Sequence, residues 1–180
     1  MRRRLAVVGA VLALVVIAAG CGGDDSDESS TDAWASSFCG AITGWTDDLE
    51  GISSQFTDTS NLSQEGIQSG AEDVRTATQD LVDELRGLGA PPTESGDTVE
   101  SELDTLSDTL EAETGEIEDT ADGVSGLTDI PDAIQEISGS LAAMATAFSN
   151  ALTAIQDADV GGELQTALED SPECAGISSS

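Results

Sequence analysis

Along most of the chain, apolar residues recur every three or four positions, which is the spacing of one face of an α-helix. From Asp32 onward four such apolar stripes follow one another, and short connectors rich in Gly, Pro and Ser separate them. The first stripe consists of Trp34, Phe38, Ile42, Trp45, Leu49, Ile52 and Phe56. Because no segment alternates apolar and polar residues in the manner of a half-buried strand, the pattern predicts an all-α body.

The other three stripes begin and end at recognisable signals. Ser63 is a candidate N-cap of the second helix, and a Gly-Ala-Pro-Pro run at residues 89–92 ends that helix. The third helix is predicted to start near Asp97, which forms a capping-box-like pair with Glu100. An Asp-Ile-Pro-Asp run at residues 129–132 places a proline in the first turn of the fourth helix.

One short helix is expected after the fourth. A Gly-Gly pair at residues 161–162 breaks the pattern, and Leu164 and Leu168 then lie at helical spacing within residues 163–169. Four amphipathic segments with short connectors are typical of an up-down-up-down four-helix bundle. We therefore predict such a bundle with a short C-terminal helix, and we expect it to form one domain over residues 32–177.

Small residues on two of the helices raise a choice between core packing and partner binding. Gly40 and Gly44 lie about one turn apart in the first helix, where they permit the close approach of a neighbouring backbone. The fourth helix offers small residues at Ala143, Ala147, Ala151 and Ala154. We interpret these residues as tight packing inside the bundle rather than as a partner groove. Met144 and Phe148 are likewise interpreted as core residues rather than as a ligand pocket.

The N-terminus carries the features of an export signal. Arg2, Arg3 and Arg4 precede an uncharged apolar run at residues 5–19. This run is shorter than the roughly 20 residues that a membrane-spanning helix needs. A positive start, a short apolar core and small residues before a break are typical of a signal peptide.

The end of that signal contains a cysteine, because Ala18, Ala19 and Gly20 lead directly into Cys21. This arrangement resembles the lipobox of bacterial lipoproteins, although a larger aliphatic residue is more usual at the position of Ala18. The resemblance implies that residues 1–20 are a lipoprotein signal peptide and that the chain is cut just before a lipidated Cys21. It therefore implies a protein anchored by lipid at the extracytoplasmic face of the cell membrane.

Residues 21–31 predict a flexible acidic tether behind the lipidated Cys21. Residues 22–31 are almost all Gly, Asp, Ser or Glu, and such a composition cannot bury enough apolar surface to fold. A single lipid chain holds a protein at a membrane only marginally, whereas the multiple acyl chains that the lipoprotein resemblance implies would anchor it stably.

Acidic residues dominate the charge of the chain, which has 36 acidic and 5 basic residues and a formal net charge of −31. Removal of residues 1–20 would remove three arginines, which lowers the charge from −31 to about −34 and leaves Arg75 and Arg86 as the only basic side chains. Nucleic acids and anionic lipid headgroups repel such a body. We therefore expect no nucleic-acid partner and a membrane contact made through the lipid on Cys21. An alternative origin of the acidic excess is high salt outside the cell.

Cys39 and Cys174 lie near the two ends of the predicted helical body. In an exported protein, the oxidising surroundings favour a disulfide between them. Closing so long a loop would stabilise the fold by about 4 to 5 kcal/mol according to the chain-entropy model. The alternative is a pair of buried free thiols.

Few features of the sequence suggest catalysis. The absence of histidine excludes a Ser-His-Asp triad and imidazole metal ligands. Glycosidase carboxylates are paired in a shaped cleft, whereas these acids are spread over exposed helical faces, and no phosphate- or dinucleotide-binding glycine motif is present. Residues 118–123 with Asp129 fit a calcium loop only in part, because Ala121 and its neighbours depart from the ligand pattern. We therefore expect no catalytic residue, no cofactor and no metal site, and we predict that the protein is not an enzyme.

The third helix is the most acidic of the four. Residues 93–122 contain twelve acidic residues and no basic one. Like charges three or four positions apart destabilise a helix. We therefore expect this helix to be the loosest at low ionic strength and to tighten with salt or divalent cations.

The lipobox, the acidic tether and the placement of Cys39 and Cys174 near the two ends of a helical body together resemble small exported lipoproteins of actinobacteria. The function of those proteins is unknown, and the resemblance implies no catalytic residue. We interpret the chain as a non-enzymatic interaction or spacer module of the cell envelope, with an envelope protein as its partner.

An alternative function is that of a carrier, which would hold a small apolar or lipid-like ligand in the bundle core. A filled core with an exposed apolar strip would favour the interaction module. The carrier would be favoured by an internal cavity lined by Trp34, Trp45, Phe148 and Met144.

Overall fold

The computed structural model describes residues 25–57, 63–159 and 161–179. Five α-helices follow one another in it, and a 3₁₀ helix at Pro172–Ser179 ends it. The α-helices are α1 (Asp25–Thr57), α2 (Gln64–Leu88), α3 (Gly96–Gly123), α4 (Ile130–Ala158) and α5 (Glu163–Asp170). The described residues contain no strand, so the prediction of an all-α fold is confirmed. None of these helices is long and apolar enough to cross a bilayer.

The N-terminal predictions fall mostly outside the described residues. The signal peptide at residues 1–20 and the lipidation site Cys21 both lie there. Helix α1 begins at Asp25, so the structure differs from the predicted tether over residues 25–31. Thr31, which belongs to this part of α1, is buried.

The helices pack against one another as a helical bundle around one hydrophobic core. Helix α1 packs against α2, α2 against α3, and α3 against α4, while α5 and the 3₁₀ helix pack against α1. The predicted stripe of α1 points inward, and its buried members are Trp34, Phe38, Ile42, Trp45 and Ile52. The rings of Trp34 and Phe38 stack with centroids 5.3 Å apart and an angle of 8° between their planes.

The start of α2 agrees with the sequence, because the Ser63 hydroxyl accepts a hydrogen bond of 3.1 Å from the Gly66 amide. The start of α3 differs. Its N-cap is Ser95, whose side chain makes no capping bond, so the predicted pair of Asp97 and Glu100 does not form the cap. The helix begins at a buried Gly96, where a Cβ would lie 2.2 Å from the backbone oxygen of Pro91.

Both arginines of the body contact the acidic helix α3. The Arg75 Nε lies 3.2 Å from a carboxylate oxygen of Glu118. The Arg86 guanidinium lies 2.8 Å from Glu111 and 3.5 Å from Asp108. These pairs are partly exposed, so salt screens them and each contributes little stability. They nevertheless place both positive charges of α2 beside acidic residues of α3.

Candidate functional site

A groove separates α1 from α4. Among the described residues these two helices are not a closely packed pair, and the open space between them has a volume of about 530 Å³. We call this space the α1–α4 groove. Its apolar lining consists of Ile42, Trp45, Leu49, Leu141, Phe148 and Leu152, with Ala145 on the α4 side. Its polar lining consists of Thr43, Thr46, Asp47 and Ser149.

The residues at the floor of the groove are buried, whereas those along its rim on α4 are partly exposed. Ile42 is 1% exposed and Trp45 is 7% exposed, so both belong to the core as well as to the groove. The indole nitrogen of Trp45 donates a buried hydrogen bond of 3.3 Å to the hydroxyl of Thr78 on α2. Phe148 and Leu152 on α4 are only half-buried. An incoming apolar surface would therefore meet an ordered floor and remove exposed side chains from water.

Helical spacing explains the α4 wall of the groove. Leu141, Ala145, Phe148 and Leu152 follow one another at steps of four, three and four residues, which places them on one face of the helix. The large side chains form the wall, and Ala145 leaves a notch between them. Residues 137–156 of α4 contain no charged side chain, although the chain carries 36 acids.

The electrostatics of the groove are one-sided. Asp47 is the only charged residue among the described residues that line the groove. The two arginines of the body contact α3 instead. A carboxylate or phosphate group placed in the groove would therefore meet no cation that could balance its charge.

The structure brings together only two of the four side chains that the carrier hypothesis places around one cavity. Trp45 and Phe148 both line the α1–α4 groove, and Phe148 is only partly buried although it packs against the core, as predicted. Trp34 lies elsewhere, where its indole nitrogen donates a 3.0 Å hydrogen bond to the carbonyl oxygen of Gly89. Met144 is fully buried in the core.

The prediction of tight packing at the small residues of α1 is also wrong. Gly40 and Gly44 are exposed, and a Cβ at either position would meet no heavy atom within 4 Å. Neither glycine lines the α1–α4 groove, because both lie on the exposed side of α1. The alanines of α4 face α3 instead, where they line a second groove of about 650 Å³: Ala143, Ala147, Ala151 and Ala154.

The structure places the two predicted disulfide partners together. The sulfur atoms of Cys39 and Cys174 lie at disulfide distance, and their Cα atoms are 5.0 Å apart. Both residues are buried. They connect the C-terminal 3₁₀ helix to α1, and the hydroxyl of Thr43 donates a 3.4 Å hydrogen bond to the carbonyl oxygen of Glu173 beside them.

The acidic run that partly resembles a calcium loop is not a loop. Residues 118–123 form the last turns of α3, so their carboxylates do not converge in the manner of a calcium loop. Asp129 accepts hydrogen bonds from the hydroxyl and the amide of Ser125, at 2.9 and 3.1 Å, and these bonds hold the pKa of Asp129 below its ordinary value. In the described part of the chain, no group of three or more Cys, Asp or Glu residues is arranged to hold a metal ion.

The α1–α4 groove thus combines an ordered apolar floor, an open rim and a single carboxylate. An apolar surface placed in this groove would contact Trp45, Phe148 and Leu152. Comparison of the chain with protein-family models, with curated proteins and with solved structures gives no match.

Proposed function

We propose that this chain is an exported lipoprotein that a lipid on Cys21 anchors at the extracytoplasmic face of the cell membrane. Its helical body is a non-enzymatic interaction module that docks a protein of the cell envelope in the α1–α4 groove. The observation that carries this docking role is the open apolar groove between α1 and α4, which Trp45 and Phe148 line, on a body that is otherwise strongly acidic. The lipid anchor is supported by the lipobox-like sequence that ends at Cys21.

We further infer an up-down-up-down arrangement of α1 to α4. Support comes from cross-helix pairs, because Trp34 contacts Gly89 whereas Trp45, further along α1, contacts Thr78, which is earlier in the chain. Rising positions in α1 thus meet falling positions in α2. The arginine pairs between α2 and α3 run in the same antiparallel sense.

The positions of Met144 and Trp34 favour a docking role over a carrier role. A carrier would enclose its ligand in the core, yet Met144 is fully buried and Trp34 is stacked on Phe38 outside the groove. The carrier remains the second candidate because a volume of about 530 Å³ lies within the usual range of small-molecule sites. An apolar ligand in the groove would then occupy the surface that we assign to a protein.

Photo-crosslinking on intact cells tests the docking role. A photoreactive residue replaces Ala145, which is exposed and lines the groove, and in a matched strain it replaces Ala112, an exposed alanine of α3 outside the groove. We expect one discrete protein adduct from position 145 and none from position 112. Equal adduct patterns from both positions, or no adduct from position 145, would contradict the docking role. A bound lipid in the purified protein together with the absence of an adduct would identify the carrier.

A further inference from the structure

We infer that the occupant of the α1–α4 groove is a cationic amphipathic helix of a partner protein. This assignment rests on the proposed docking role of the groove, and it adds the chemistry of the partner. The observations that support it are the length of the groove, the notch in its α4 wall and the sign of the charge around it.

The shape of the groove fits a helix. Its α4 wall runs from Leu141 to Leu152, a distance of about 16 Å or three helical turns. Ala145 and Ser149 lie between the large side chains of this wall, so a third helix can approach closely there. A partner helix with apolar residues at spacings of three and four positions would bury them against Trp45 and Phe148, which is how amphipathic helices bind grooves.

The negative charge of the body favours a partner with a positive charge. Asp47 lies in the groove lining, and the full chain carries a net charge of −31. A fatty acid or a phospholipid would bring a negative headgroup into a groove whose described lining contains no cation. A second copy of this chain would bring the same negative charge and would be repelled. A helix with Lys or Arg beside its apolar face matches the apolar floor, places a cation near Asp47 and is attracted by the net negative charge of the chain.

Model peptides test the assignment with the full chain reconstituted in phosphatidylcholine nanodiscs. Three labelled fourteen-residue peptides share one helical pattern of leucines. All of their remaining positions carry Lys in the first peptide, Gln in the second and Glu in the third. We expect fluorescence anisotropy to show the tightest binding for the Lys peptide, weaker binding for the Gln peptide and none for the Glu peptide. Binding to empty nanodiscs is subtracted.

Two matched pairs of variants separate groove binding from attraction to any acidic surface. Ala145→Trp fills the notch and should weaken binding of the Lys peptide by about tenfold or more, as loss of a central contact does, whereas Ala112→Trp should leave it unchanged. Asp47→Asn should weaken binding by about two- to fivefold, the size of one partly exposed ion pair. Asp48→Asn removes the neighbouring exposed acid, which does not line the groove, and should have no effect.

Each contrary result has a distinct meaning. Equal effects of Ala145→Trp and Ala112→Trp would show that the Lys peptide binds outside the groove, which overturns the assignment. Equal, groove-dependent affinity for the Gln and Lys peptides would overturn the cationic partner while the docking role stands. Competition by hexadecanol, with no groove-dependent peptide binding, would overturn both and identify the carrier.

Discussion

The indole nitrogen of Trp45 and the hydroxyl of Thr78 form a buried hydrogen bond of 3.3 Å between α1 and α2. This bond lies directly behind the α1–α4 groove, because the Trp45 ring also lines the groove floor. Thr78 is 1% exposed, so neither partner can readily exchange this bond for one to water. A single polar contact in the core thereby fixes the orientation of the largest side chain of the candidate site.

Replacing Thr78 by Val should destabilise the fold by about 1 to 3 kcal/mol, because it leaves the buried indole N–H without an acceptor. Urea unfolding of the variant measures this loss. In a double-mutant cycle with Trp45→Phe, the double variant should lose less than the sum of the two single losses. Strict additivity would show that the bond contributes nothing to stability.

Gly96 and Gly115 lie in the same helix and should respond to alanine in opposite directions. A Cβ at Gly96 would lie 2.2 Å from the Pro91 oxygen, so Gly96→Ala should cost about 1 to 3 kcal/mol through the backbone shift that it forces. Gly115 has no heavy atom within 4 Å of an added Cβ, so Gly115→Ala should stabilise by about 0.5 to 1 kcal/mol. Thermal unfolding of the two variants checks the contrast, and equal shifts would contradict the close contact at Pro91.

Glu111 should titrate below its ordinary range, because the hydrogen bond from Arg86 holds its pKa down. A carboxyl whose pKa is lowered by folding stabilises the fold at neutral pH and loses that contribution as the pH falls through the folded pKa. In Arg86→Gln, an NMR titration should show the pKa of Glu111 raised toward its ordinary value. Arg75→Gln, which removes an arginine paired with Glu118, is the control and should leave Glu111 unchanged. An unchanged Glu111 in Arg86→Gln would contradict the pairing.

Cys39 and Cys174 should form a disulfide. The pair closes a loop with a sequence separation of 135, so the double variant Cys39→Ala with Cys174→Ala should be less stable by about 4 to 5 kcal/mol according to the chain-entropy model. Urea unfolding with and without a reductant measures the difference. The expected control result is that reductant has no effect on the double variant. Equal stability of the wild type in both conditions would indicate free thiols.

The core of the helices was predictable from the sequence because helical periodicity alone decides which residues face inward. Trp34, Phe38 and Ile42 each lie on the predicted first stripe, and all three are buried. The Ser63 cap was predictable for the same reason, since it depends on residues three positions apart in the chain. Such local relationships are fixed by the geometry of one helix.

The groove was not predictable, because it depends on how far apart two helices lie. Leu49 lies on the same predicted stripe as the core residues Ile42 and Trp45, yet it is only half-buried because α1 and α4 are not closely packed. The start of α3 was missed for a similar reason. The helix begins at Gly96, which lies close to the Pro91 oxygen, and no capping pattern contains that non-local approach.

The proposed location of this protein at the cell membrane depends on lipidation of Cys21, and mass spectrometry of the protein isolated from its native cells tests that modification directly. We predict that the protein is recovered with the membrane fraction, begins at Cys21 and carries acyl chains on that residue. Recovery of the protein from the cytosol with residues 1–20 intact and an unmodified Cys21 thiol would contradict the account.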